Sequence, residues 1–443
     1  MLQSAPTPVS LPKSSFAIIF GVSLVTAMGN TGMISVLPAI GRSIGIPDYL
    51  VAGVFSLSAL LWAGSSPYWA RASDRYGRKP LMLVGLTGFA VSMAACAVVV
   101  GAGLHHLATP MVIFGFFLLA RALFGLFGAA SNPATQAYVA EHTPVEERTT
   151  AMSSLAGAFG LGTVIGPFLA PLFIIPFLGI GLAGPMMIFS LIALSMLVVV
   201  WKLLPESSHM PVQPVKMAPT MDAKADAAGK ETPMWRDPRL TPFLIYGFVV
   251  AVCQTAQGQT LGFLIIDKLG MSPMQAQGFI AIAMMFGAVA GLLAQWGIIR
   301  MFEMTPRQLL RWGVGVAALG NLIVAFQPTY AAVVAGYAIS SLGFGLARPG
   351  FTAGSSLAVG MHEQARAAGA IAAVNGVNVV LAPLFVLLYE KVHAAPFVLN
   401  MVMMLAMLVY AFRNSQLANA DPKPATQADS AMATLEKSDE GSL

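Results

Sequence analysis

The stretch Asp74-Arg75-Tyr76-Gly77-Arg78-Lys79-Pro80 is a knot of charge between two long apolar runs, and its reading decides the fold. Arg71, Arg75, Arg78 and Lys79 place four cations within nine residues, whereas the 28 residues before them carry only Asp48 and the 40 after them carry no charge. That pattern is a loop between two membrane spans. Lys and Arg beside hydrophobic spans mark the cytoplasmic side, because translocating them is unfavourable and the anionic inner leaflet attracts them.

Working outward, 57% of the 443 residues are hydrophobic and only 10% are charged, against a charged share of roughly 25% in soluble domains. Lipid must therefore surround most of the surface. The net charge of +5 is confined to short loops and forms no continuous groove, so nucleic acid is not an expected partner. Cys96 and Cys253 both lie in apolar runs, where a thiol behaves as a small hydrophobe, so neither a disulfide framework nor a metal site is expected. No cofactor motif accompanies them. Gly343-Phe344-Gly345 lacks the strand and Lys-Ser/Thr of a phosphate loop. Met1 to Ser14 has neither the basic start nor the small-residue cleavage site of a secretory signal, so the first apolar run is read as a span that stays.

A helix needs about 20 apolar residues to cross the hydrocarbon. On that ruler the spans run 15–39, 49–70, 80–102, 110–138, 149–176, 182–204, 241–266, 274–299, 308–327, 329–359, 366–389 and 393–412. The expected domains are an N-terminal tail (1–14), a first six-helix bundle (15–204), a polar linker (205–240), a second six-helix bundle (241–412) and a disordered acidic tail (413–443). With both termini in the cytoplasm, 19 of the 24 Lys and Arg fall inside. Arg42, Lys268 and Lys391 fall outside, and Arg121 and Arg348 lie within spans. The two bundles read as copies. Pro133 and Pro167 are separated by 34 residues, as are Pro349 and Pro383, and Ala-Pro-Leu-Phe recurs at 170–173 and 382–385. The expectation is an all-α integral membrane protein of twelve transmembrane helices in two pseudo-symmetric six-helix bundles, the architecture alternating access requires.

The stretch from Pro67 to Pro80, with its Ser-Asp-Arg-aromatic-Gly-Arg-Lys-Pro core, resembles the loop between helices two and three of the major facilitator superfamily. Its wording is most similar to the 12-helix drug/proton antiporters, the tetracycline exporters among them. The family's first glycine is here Ala70. Gly77 permits a tight turn, while Asp74, Arg75, Arg78 and Lys79 can form charge-assisted bonds to neighbouring helix ends and act as a cytoplasmic latch. Leu119-Ala120-Arg121, followed by Gly125, Gly128 and Ala129, resembles the family's buried-arginine motif. A lone cation that deep is disfavoured by roughly 2.5 to 3.5 kcal/mol even on the mildest scale, so Arg121 must face the protein interior. Gly157 to Pro167 is similar to the antiporter signature Gly-x-x-x-Gly-Pro through Gly162, Gly166 and Pro167, although Ala170 and Pro171 stand where two further glycines are usual. Close approach at the glycines and a bend at Pro167 suit a rocking interface.

The resemblance implies a secondary transporter, not an enzyme, that exports small amphipathic or drug-like molecules by proton antiport. Efflux of that kind underlies drug resistance. It would act as a monomer in the cell's inner (plasma) membrane, with a small-molecule substrate, protons and lipid as its partners. Amides buried in the spans need a partner helix or a ligand. Asn30, Arg121, Gln254, Gln257, Asn375 and Asn378 are the candidate substrate path, with helix packing the alternative for the last two. No Asp or Glu occurs in mid-span; Asp48 and Glu390, at span ends, are the candidates for proton coupling, with an interfacial charge as the alternative. An uptake symporter or facilitator for a metabolite is the rival reading. A receptor or membrane enzyme is disfavoured, because no nucleophile-base pair or spaced ligand set lies near a membrane face.

Overall fold

The computed structural model describes residues 12–174, 180–206, 234–360 and 363–421. The residues before 12, most of the 205–240 linker and the tail beyond 421 lie outside them, so the expectations of a flexible linker and a disordered tail fall largely outside the described residues. Among the described residues, twelve helices are long and apolar enough to cross a membrane. The first six are α1 (Lys13–Ile44), α2 (Asp48–Tyr76), α3 (Arg78–Leu104), α4 (Pro110–Glu141), α5 (Thr150–Phe173) and α6 (Gly184–Leu203). The second six are α7 (Thr241–Leu269), α8 (Pro273–Met301), α9 (Pro306–Phe326), α10 (Tyr330–Leu357), α11 (Arg366–Lys391) and α12 (Ala395–Arg413). The protein is all-α and crosses the membrane many times.

Local chemistry sets the helix ends. Pro110, Pro185, Pro242, Pro273, Pro306 and Pro396 occupy the first or second position of their helices, where the missing N–H costs nothing. Ser272, Thr305 and Thr329 cap α8, α9 and α10, and Thr305 with Gln308 completes a capping box. At their far ends α1 and α7 stop in the same way, at Gly45 (φ 87°) and Gly270 (φ 59°), both left-handed. The first span is longer than expected from the sequence: Pro38 sits inside α1, and the helix continues to Ile44. That extension makes Arg42 a helical residue close to the end of its span.

The two bundles pack alike. α3 lies on α4 and α6 in the first, as α9 lies on α10 and α12 in the second, and α2–α11 and α5–α8 form the equivalent seams between bundles. Three spans carry internal irregularities. A 3-10 turn at Gly128–Ala130 interrupts α4, another at Asn378–Leu381 interrupts α11, and Leu293–Ile298 forms a π-helical stretch in α8. The two Ala-Pro-Leu-Phe copies behave differently: the first ends α5 as a 3-10 turn, and the second restarts α11 after one. Helix length also varies, from 32 residues in α1 and α4 to 20, 21 and 19 in α6, α9 and α12.

Candidate functional site

A cavity of about 1150 Å³ lies between the bundles. Thr26, Asn30 and Arg121 line its deep end, and Pro67, Ala70, Asn132 and Gln136 carry it to within about a turn of the Asp74 loop. The opposite face, where α1 and α7 end, is closed.

Arg121 is 1% exposed, on α4 about eleven residues from Pro110. Its Nη2 donates to Asn30 Oδ1 at 2.8 Å, and its guanidinium stacks over Phe124 and Phe55 at 4.6 and 5.1 Å. Cation–π contact of this kind partly replaces lost hydration. Nε and Nη1, however, are buried with no hydrogen-bond partner. A buried guanidinium with open donors is a ready site for an acceptor oxygen. The cavity wall around it is largely apolar, with Phe55, Trp62, Phe124, Phe159 and Met284, and polar at Thr255, Gln259 and Asn375.

The sequence-derived path residues separate into two groups. Asn30, Arg121 and Asn375 line the cavity. Gln257 is buried against α10 and donates to Ser340 Oγ, so its amide is used in packing between helices. Asn378 is buried too, accepting from Thr255 Oγ1 at 2.6 Å and donating to the Asn375 carbonyl at 2.7 Å. Gln254 receives a long contact of 3.5 Å from Arg348 Nη1. Thr26, Trp62, Gln136, Thr255 and Gln259 were not anticipated; for Gln259 the available signal was its polarity in an apolar span.

At the Asp74 face, Gly77 turns the chain at φ 94° and Arg78 becomes the hub. Its Nη1 donates to Asp74 Oδ1 at 2.6 Å and Ser73 Oγ at 2.9 Å, and its Nη2 and Nε donate to Glu141 Oε1 at 2.6 and 2.9 Å. Glu141, at the end of α4, is a partner the sequence did not single out. Arg75 stacks over its neighbour Tyr76 at 5.3 Å. Among the described residues, no hydrogen bond or ion pair joins Lys79 to the hub. On the same face of the second bundle, Arg239 donates to Asp237 and Glu363 at 2.7 and 2.9 Å. These bonds hold both carboxyls below their ordinary range.

At the closed face Arg42 bridges the bundles. It donates to Asp48 at 2.7 Å and to Asp267 of α7 at 2.9 Å, and Tyr389 also donates to Asp267. Three more bonds cross nearby: Tyr49 N to Glu390 Oε1 at 3.1 Å, Gln277 Nε2 to the Ser35 carbonyl at 3.0 Å, and Ser56 Oγ to the Val379 carbonyl at 2.9 Å. Asp48 and Glu390 are therefore engaged at the seam on this face and lie away from the deep end of the cavity. Gly162 and Gly166 bring α5 against the α1 backbone; a Cβ on Gly162 would stand 2.6 Å from the Leu24 carbonyl, and one on Gly166 would meet the Met28 carbonyl. Pro167 follows within α5, three residues before the helix tightens to 3-10 geometry at Ala170.

Among the described residues, no group of three or more His, Cys, Asp or Glu could hold a metal ion. The profile of the Major Facilitator Superfamily matches residues 19–383. The chain is 32% identical to Multidrug resistance protein 2 of Bacillus subtilis (strain 168) over 35% of its own length and 36% of that protein. It is 31% identical to the class D tetracycline resistance protein of Salmonella ordonez over 33% of its own length and 34% of that protein. The match thus spans about a third of the length of these curated relatives, and supports kinship with efflux transporters in general, not with tetracycline exporters in particular. The crystal structure of a bacterial homolog to the human lysosomal transporter Spinster, inward-facing and unoccupied, superposes with a TM-score of 0.71 at 12% identity, covering 93% of this chain and 98% of that one.

Proposed function

The chain belongs to the major facilitator superfamily, and we propose that it is a secondary transporter that exports small amphipathic molecules by alternating access, in exchange for protons. The carrying observation is the cavity between the bundles, apolar along its walls, open toward the Asp74 face and ending on the unsatisfied guanidinium of Arg121. An apolar cleft with few polar groups is the usual form of a small-molecule site. The positive-inside rule supports a cytoplasmic Asp74 face, with both termini on that side of the plasma membrane. The cavity then faces the compartment from which an exporter loads. The division into bundles at 15–204 and 241–412 belongs to this reading, as does a monomeric state.

In this scheme Arg121 and Asn30 form the binding floor, and Asn375 the facing wall. Asp48 and Glu390 are the coupling candidates: protonation of Glu390 would weaken a bond that crosses the seam at the closed face, and protonation of Asp48 would loosen its hold on Arg42, whose bond to Asp267 crosses there. Inverted membrane vesicles with an imposed pH gradient test direction and coupling together. Accumulation of substrate against its gradient, collapsing when the pH gradient is dissipated, is the expected result; flux that persists without a pH gradient overturns proton exchange. Arg121→Ala is expected to reduce accumulation at least about tenfold, the loss of one charge-assisted contact of roughly 1.5 to 3 kcal/mol. A second reading, uptake of a metabolite, is favoured by one observation: among the described residues that line the cavity there is no carboxylate. Inward accumulation in right-side-out vesicles would establish it.

A further inference from the structure

The interior carries two cations for which the ion pairs offer no counter-charge. Arg121 sits about eleven residues from one end of α4, and Arg348 nine residues from the end of α10, so each is about 13 to 17 Å from a helix end. Among the described residues, neither has a carboxylate within ion-pair distance. Their partners are neutral amides. Arg121 has Asn30 at 2.8 Å. Arg348 reaches Gln254 Oε1 at 3.5 Å and Asn375 Oδ1 at 3.3 Å, both longer than the 2.7 to 2.9 Å of a well-made charge-assisted bond. Arg121 retains two open donors, and Arg348 is exposed within its span.

Asn375 connects the two. It lines the same cavity as Arg121 and accepts from Arg348. One guanidinium comes from each bundle: Arg121 lines the cavity itself, and Arg348 reaches it through Asn375 on the facing wall. An unneutralised cation in a low-dielectric interior is strongly disfavoured, and two of them repel. Closure of the cavity around nothing would bury Arg348 as well, beside an Arg121 that is already buried.

We infer that the cavity is an organic-anion site, in which Arg121 and Arg348 bind a carboxylate, phosphate or sulfonate oxygen on an apolar body and the anion neutralises the path for closure. This names the substrate class of the site proposed above and rests on the reading of that cavity as the transport site. Arg348 meets the anion nearer the open mouth, Asn375 passes it on, and Arg121 holds it at the deep end while Phe55, Trp62 and Phe124 enclose the apolar part. An amphipathic cation would meet repulsion from both residues.

The test uses the full chain, purified in detergent micelles, and four probes that share one apolar body: 1-naphthoate, naphthalene-1,8-dicarboxylate, methyl 1-naphthoate and 1-naphthylmethylamine. Calorimetric titration at neutral pH is expected to rank dicarboxylate and monocarboxylate at least about tenfold above the ester, with the amine weakest. Arg348→Gln is expected to lower carboxylate affinity about tenfold and leave the ester unchanged, and Arg121→Gln with Arg348→Gln to abolish the preference. Ester binding, blocked by Phe159→Trp in the cavity wall, reports that each variant is folded and its cavity intact. Equal binding of ester and carboxylate, or carboxylate binding indifferent to Arg348→Gln, overturns the anion site while leaving the cavity as a transport site. Binding of none of the four overturns both.

Discussion

The two faces of the molecule use the same chemistry to opposite ends. At each, one guanidinium holds two carboxylates: Arg42 holds Asp48 and Asp267, and Arg78 holds Asp74 and Glu141. The carboxylates of Arg42 come from different bundles, whereas those of Arg78 both come from the first. The ties of Arg239 to Asp237 and Glu363 and of the Arg307 N–H to Asp421 likewise involve only the second bundle and the segments that flank it. A bond that crosses the bundles stabilises one arrangement of them. A bond that stays inside one is present in every arrangement, and stabilises only the fold. The cavity opens at the face whose described ties do not cross.

The largest way to break this comparison is Arg42→Ala. It removes the central cross-bundle tie and leaves Asp48 and Asp267 without their cation, and is expected to shift the population toward opening of the Arg42 face by about tenfold, or roughly 1.4 kcal/mol. A cysteine introduced at Gln136, in the open mouth, should then react correspondingly more slowly with an impermeant maleimide. Unchanged reactivity would remove the Arg42 tie from any role in setting the state.

Arg78→Ala should separate the two faces from the other side. It strands Glu141, and is expected to cost about 1 to 3 kcal/mol of stability, read as a lower thermal midpoint in detergent. Reactivity at position 136 should stay the same. A shift there would mean that the Arg78 hub governs conformation as well as folding.

A smaller effect is expected of Asp74→Asn. The Asp74 carboxyl is 69% exposed and has one partner, so its loss costs at most about 0.5 to 1 kcal/mol of stability. Its proposed use comes when the Asp74 face closes and it can reach the other bundle, so transport should slow several-fold with membrane insertion intact. Equal transport rates would confine Asp74 to the hub.

The smallest is Arg239→Ala. Asp237 and Glu363 have lowered pKa values, through hydrogen bonds from Arg239, so their contribution is fully present above the ordinary carboxylate range and is lost as pH falls through the depressed values. The difference in thermal midpoint between wild type and Arg239→Ala should be a degree or so, constant from pH 8 to about 5, and should vanish only below about pH 4. A difference that fades already near pH 6 would point to another group.

The spans and the Asp74 loop were legible in the sequence because hydrophobic length and charge placement are local quantities. So was the burial of Arg121, since a lone cation in mid-span has nowhere else to go. The lumen-facing side of α7 was not. The i, i+3 pair Gln254 and Gln257 marks one helix face, yet Thr255, Gly258 and Gln259 line the cavity while Gln257 packs on Ser340. A helix surrounded by protein has no apolar stripe to distinguish a cavity from a neighbour. The expected first span stops at residue 39, short of Arg42, whereas the helix continues to Ile44. The partner of Arg42, Asp267, lies 225 residues away, at the matching position before the matching glycine of α7, a relation visible only once the two bundles are superposed.

The uneven helix lengths have a consequence for the membrane itself. α6, α9 and α12, at 19 to 21 residues, are about 28 to 32 Å long, close to the hydrocarbon thickness of an ordinary bilayer. α1 and α4, at 32 residues each, are about 48 Å long and must tilt or overrun it. Leu194, Val198, Trp201, Val402, Val409 and Phe412 are exposed along α6 and α12 and form part of an outer belt matched to one thickness. Inside that belt, the long helices have room to change tilt. Lipid acyl-chain length therefore becomes a lever on this protein: thicker bilayers strain the short helices and favour upright long ones, so the rate of conformational exchange should pass through a maximum as chain length is varied.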